Sequence, residues 1–270
     1  MAMPLSSATE GAQSDARHSK RTPATLVEAV EREAELPPGT AERFSGYGVM
    51  GMPFRSGHVL GLRRFPASSI GPGYRSVWHR DPNGRWTFYQ DQPATLACTR
   101  YFGAEVDEVH EGPVQIDWAG SDRFEVHAGG GALEWEVELA STAVTHLFNA
   151  VGSLLPLSAW RARPVLAVMS RVAGPALRAG RVRLTGLTPN GQRFVANPLT
   201  MWVAGGRARI GGVDVGESGP APDQARLRDF AIPQRGLFVL GRAFFTDPAG
   251  DAETARKTNG NPPDGKDASE

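Results

Sequence analysis

VQIDWAGSDRFEVHAGGGALEWEVEL, residues 114–139, decides the fold. In it Val114, Ile116 and Trp118 alternate with Gln115 and Asp117, and Phe124 and Val126 alternate with Glu125 and His127. Leu133, Trp135, Val137 and Leu139 alternate in the same way with Glu134, Glu136 and Glu138. A period of two is that of a strand with one buried face, so the stretch predicts three strands in a meander. Keeping the apolar face continuous fixes the register. Trp118 must oppose Phe124 and Val126 must oppose Trp135, because a slip of one residue would turn every apolar side chain outward.

The same register orders the polar face. Asp117, Glu125 and Glu136 fall in one row, Gln115, His127 and Glu134 in the next, and Arg123 lies beside Glu138. Like charges side by side repel, so the row either faces water, holds a cation or supplies a catalytic acid; the sequence leaves these open.

Outside this stretch, short β-prone runs separated by turn residues begin at Gly46, as in an all-β barrel or sandwich. Asp81-Pro82-Asn83-Gly84 and Pro189-Asn190-Gly191 each separate two such runs and predict hairpins, since Asn-Gly suits the positive φ of tight turns. Further strands are expected at Arg181–Leu187, Arg193–Ala196, Thr200–Ala204, Arg207–Val215 and Leu237–Phe244. Helices are expected at three places. One is Thr25 to Leu36, with Thr25 and Glu28 at capping-box spacing. Another lies near Asp223–Asp229. The third is the stretch 143–177, which Pro156, Pro164 and Pro175 should divide into short helices. Residues 1–21 and 247–270 have almost no large apolar side chains and are expected to be disordered tails around one β-rich domain, 22–246.

Composition narrows the chemistry. The chain has 270 residues, 40% of them apolar, and zero net charge, so nothing supplies the basic stripe that nucleic-acid binding needs. Its one cysteine, Cys98, excludes internal disulfides and cysteine-rich zinc sites; it reads as a small buried apolar residue. Lysine occurs only at Lys20, Lys257 and Lys266, all in the tails, and arginine supplies the other basic groups, as GC-rich bacterial coding favours. A body without lysine forms no Schiff base, anchors no pyridoxal phosphate and has no P-loop. The N-terminus carries no secretory signal, and the longest apolar stretch, Val144 to Leu157, is too short to span a bilayer, so a cytoplasmic address is expected.

Gly46-Tyr47-Gly48-Val49-Met50-Gly51 matches the dinucleotide fingerprint, but prolines flank it and no acidic residue lies near position 70. The better reading is a strand whose glycines let it pass close to its neighbours. His18, His58, His79 and His110 show no metal-ligand spacing, and no Gly-x-Ser-x-Gly elbow occurs, so neither a sequence-local zinc site nor a serine-hydrolase signature is present. Trp118, Phe124 and Trp135 should cluster on the apolar face, and Trp78, Trp86 and Trp202 lie on other strands of a curling sheet. These aromatics are either core or the lining of a ligand pocket. With Asn149, in the helical stretch across one mouth, they form the candidate ligand-binding set.

Val77-Trp78-His79-Arg80-Asp81, Ile116-Asp117-Trp118 with Leu133-Glu134-Trp135, and the Pro-Asn-Gly pair give a further lead. Across roughly residues 46–245 the chain resembles the lipocalin-like bacterial proteins related to carotenoid hydratases and the AttH group. That resemblance implies binding or processing of an apolar small molecule. The fold expected is therefore mainly β, an antiparallel barrel or sandwich of lipocalin-like type with a helical insertion. The function expected is binding of a lipid, isoprenoid or polyketide-like molecule in its cavity. One alternative is a cofactor-independent hydratase, cyclase or isomerase with carboxyls such as Asp117 as general acid. Another is a membrane-surface or protein-interaction module using residues 143–177. No cofactor and no metal is called for, and the oligomeric state is not legible.

Overall fold

The apolar alternation of residues 114–139 takes its expected form within a much larger sheet. The structure, a computed structural model, describes residues 22–156 and 158–247; the expected tail 1–21 and, but for Asp247, the expected tail 247–270 lie outside the described residues. Helix α1 (Pro23–Glu33) starts one turn earlier than its expected cap: Thr22 caps it by accepting from the Thr25 amide, with Pro23 in the first turn. Strands β1 (Glu42–Pro53), β2 (Val59–Ser68), β3 (Tyr74–Arg80) and β4 (Trp86–Gln90) form an antiparallel meander. A one-turn helix, α2 (Thr99–Phe102), leads to β5 (Glu108–Glu111), which pairs parallel to β4. Next come β6 (Val114–Trp118), β7 (Arg123–Ala128) and β8 (Leu133–Ala140).

The helical stretch divides at Pro156 and Pro164 but not at Pro175, which is accommodated within the last turn of its second helix. Helix α3 (Ala143–Leu154) opens on a Thr142/Thr145 capping box and stops before Pro156, and α4 (Arg163–Leu177) has Pro164 in its first turn. Strands β9 (Thr185–Leu187), β10 (Arg193–Ile210), β11 (Val213–Glu217), β12 (Arg226–Leu227), β13 (Phe230–Ala231) and β14 (Leu237–Thr246) complete the chain. Two expectations are corrected here. The helix near Asp223–Asp229 is a small hairpin, β12–β13. The expected strands Arg193–Ala196 and Thr200–Ala204 and the first half of Arg207–Val215 are one eighteen-residue strand, because a bulge between Pro198 and Thr200 absorbs the proline's missing N–H, and the run Arg207–Val215 is broken by a hairpin turn at Gly211-Gly212.

The main sheet runs β5-β4-β3-β2-β1-β14-β10-β8-β7-β6, with β9 and β11 also on β10. It curls into a half-barrel. The meander register matches the sequence reading, with Trp118 opposite Phe124 and Val126 opposite Trp135. Tyr47, Val49, Leu60, Leu62 and Val77 on one wing pack against Phe124, Val126, Trp135 and Val137 on the other, with Phe238 and Trp202 between them. Both Pro-Asn-Gly turns are three-residue loops in which glycine alone takes positive φ (Gly84 +92°, Gly191 +89°) and asparagine does not.

The Gly46–Gly51 run lies inside β1, with no helix after it. A Cβ on Gly46 or Gly48 would strike the carbonyl of Arg64 or Leu62 on β2, which is the close approach the sequence suggested. Among the described residues, no helix is long and apolar enough to cross a membrane.

Candidate functional site

The outer face of β1, β14 and β10 is short of side chains where the three strands lie side by side. Gly46 pairs with Gly241, Gly241 with Pro198, and Ala243 with Ala196, so four of these five floor positions carry at most a methyl group. Helices α3 and α4 pack over this floor through Phe148, Ala173 and Leu177, yet they do not fill it. A cavity of about 150 Å³ remains between sheet and helices. Phe148, Met169, Ala173 and Leu177 line it from the helices, Phe230 and Pro233 from the β12–β13 hairpin and its exit, and Phe65, Tyr74, Trp78 and Phe102 from the far end.

Three arginines line this apolar space: Arg183, exposed and paired with Asp229, Arg242, half-buried, and Arg63, which is buried. Arg63 on β2 is 4% exposed and lies with its guanidinium 4.4 Å over the Trp78 ring and 5.6 Å from that of Phe230. Its Nη1 donates to the carbonyls of Val49 (2.5 Å) and Leu62 (2.8 Å), and Nη2 donates to that of Met50 (3.1 Å). Val49 and Met50 stand at the bulge where β1 shifts register against β14, so Arg63 pins that irregularity. Burial lowers its pKa to about 10, which still leaves it charged at neutral pH. The titratable groups that act on it are Cys98 and Tyr74. Burial pushes both the thiol and the phenol up, and they contact each other at 3.3 Å, so both are neutral near pH 7.

Of the sequence-predicted ligand residues, only Trp78 lines this cavity. Trp86 belongs to the outer aromatic cluster around Phe88, and Trp118, Phe124, Trp135 and Trp202 fill the interior of the half-barrel. There Trp135 Nε1 donates to Met52 Sδ at 3.4 Å. Asn149 is a bracket between α3 and β10: its amide donates to the Met201 carbonyl (3.1 Å) and accepts from the Met201 N–H (2.8 Å). Asp117, Glu125 and Glu136 are aligned as expected, with Arg207 of β10 opposite Glu136. Asp117 and Glu136 are exposed and Glu125 is half-exposed, so the row is solvated sheet surface. Among the described residues no cluster of histidine, cysteine and carboxylates could hold a metal.

Two features escaped the sequence reading. Arg63 had one faint signal, a charged residue in a strand rich in apolar residues (Val59, Leu60, Leu62, Phe65), but the adjacent Arg64 makes the pair read as polar surface. The other is a histidine pair: His58 Nδ1 lies 2.9 Å from His79 Nε2 with the rings stacked, although the two are far apart in sequence. Burial lowers His58, and burial together with the neighbouring His58 brings His79 down to about 4.

Fold and site together define a mainly β half-barrel with an apolar cavity on the outer face of its sheet. No family model matches the chain, and no curated protein does. A solved structure to which it is similar is the acetoacetate decarboxylase of Legionella pneumophila, at 10% identity and a TM-score of 0.35, covering 81% of this chain and 93% of that one. A likeness that distant carries no argument about activity.

Proposed function

We propose that this protein binds an apolar small molecule, of lipid, isoprenoid or polyketide type, in the cavity between β1–β14–β10 and the α3–α4 pair. The observation that carries the reading is the lining itself, aliphatic and aromatic side chains with few polar groups, the composition of a small-molecule site. The lipocalin-like resemblance agrees with this in the kind of ligand, while the site lies on the outer face of the sheet and not inside the barrel. A hydratase, cyclase or isomerase would need a convergent acid or base; among the described residues, neither a carboxylate nor a histidine lines the cavity. Native mass spectrometry of protein incubated with a bacterial lipid extract should find a retained apolar molecule, and Ala173→Phe, which fills the space beside α4, should abolish retention. An unoccupied wild-type protein, with tryptophan fluorescence unchanged by the extract, would overturn the reading.

A second reading, contact with a membrane surface through the same helices, rests on a separate observation. Leu147 (64% exposed), Val151 and Leu154 (82%) form an outward stripe on α3, and Val168 and Val172 do so on α4. Ser141 to Val213 contains no aspartate or glutamate, and Arg171, Arg178 and Arg181 are exposed. An apolar stripe with basic neighbours suits an anionic bilayer. Co-flotation with phosphatidylglycerol vesicles but not with phosphatidylcholine vesicles, lost in Leu147→Ser/Leu154→Ser, is the expected result; flotation with neither refutes it.

A further inference from the structure

Resting on the reading that the outer cavity holds a ligand, we infer that the ligand is an acid: an apolar chain or ring system ending in a carboxylate that Arg63 receives. The ordinary alternative is that Arg63 is purely structural, and its three bonds to the carbonyls of Val49, Met50 and Leu62 do pin the β1 bulge. Those acceptors are neutral. They satisfy three of the five guanidinium hydrogens and leave the charge itself unbalanced.

A buried, uncompensated charge is costly, and replacing such a group by an apolar one is often neutral or stabilising, so its presence on the wall of an apolar cavity needs a cause. Tyr74 and Cys98, the titratable neighbours, supply none, since both are neutral. The two hydrogens without an acceptor belong to Nε and Nη2, adjacent nitrogens of the guanidinium, and paired N–H groups of this kind receive a carboxylate bidentately. Trp78 and Phe230 hold the plane of the guanidinium in place, so the fork is preorganised. Apart from Asn197, Arg183, Arg242 and the Tyr74–Cys98 pair, the side chains of the cavity wall are aliphatic or aromatic and suit the remainder of such a molecule.

The test compares octanoate, 1-octanol and octylamine, three probes with the same tail, by calorimetry at pH 7.5. Wild-type protein should bind octanoate roughly tenfold to a hundredfold more tightly than octanol, the range for a hydrogen bond to a charged group, and octylamine most weakly. In Arg63→Gln the preference for octanoate over octanol should vanish. If that variant does not fold, Arg63→Lys, which keeps the charge but not the fork, should retain a reduced preference, and the wild-type ranking stands on its own. Octanol binding as tightly as octanoate, or octylamine binding best, would overturn the acid while leaving the cavity reading intact. Failure of all three probes to bind would overturn the cavity reading itself.

Discussion

Acid should unfold this protein through the His58–His79 pair. The nitrogens are 2.9 Å apart, so one ring must donate and the other accept; a second proton would place two cations face to face. His79, largely buried, is held near 4 against an ordinary 6.5, with Asp81 only partly offsetting burial and the His58 field. At pH 5 the folded chain therefore keeps His79 neutral while the unfolded chain protonates it. Unfolding takes up a proton, so stability rises with pH through this window. The contribution is complete above about 6.5 and is lost as pH falls toward 4. From these two values the loss on going from pH 7.5 to pH 5 is about 2 kcal/mol. Urea unfolding of wild type and His79→Gln at both pH values isolates the effect, because other titrating groups act alike in both proteins. Wild type should lose about 2 kcal/mol more than the variant. If both lose the same amount, the paired imidazoles do not bear the strain assigned to them.

Phe238, fully buried with ring centroids 5.5–6.2 Å from Tyr47, Trp118, Phe124 and Trp202, joins the two wings of the half-barrel. Phe238→Ala should cost about 3–5 kcal/mol in denaturant titration, whereas a hollow interior would tolerate it. Asn149→Ala removes both bonds to Met201 and should cost about 1–3 kcal/mol, with faster amide exchange confined to α3 and its contacts. Glu125→Gln should change stability by less than about 0.5 kcal/mol, and millimolar calcium should leave the Tm of the wild type unchanged; a clear shift in either would make the acidic row a site.

The meander was legible because alternation acts locally: each of Val114, Phe124 and Trp135 shows its buried face through its immediate neighbours, and pairing follows once the faces are joined. The close approach around Gly46 could be read for the same reason. Strand β10 was read as fragments because Pro198 and the Gly205-Gly206 pair signal breaks locally, while a bulge and the pairing with β14 and β8 override them. The cavity was not legible because its floor is a row across three strands that are distant in sequence. Gly46, Gly241 and Pro198 become neighbours only when the register is known. The tryptophans illustrate the same limit. Alternation assigns Trp78 and Trp135 each to an apolar face, but a curled sheet covered by helices has two such faces, and only one of them is hollow.

Because the sheet curls without closing, its hydrogen-bonding path ends at β5 and β6. Such borders are where a second chain could add itself and seed fibrils. Strand β5 is only four residues long and wholly exposed, and it carries Glu108, His110 and Glu111; β6 has five residues and puts the exposed Asp117 on its outer side. Brevity and charge make both rims poor templates. Replacing Glu108 and Glu111 by valine would remove that safeguard and favour self-assembly, with the interior packing left untouched.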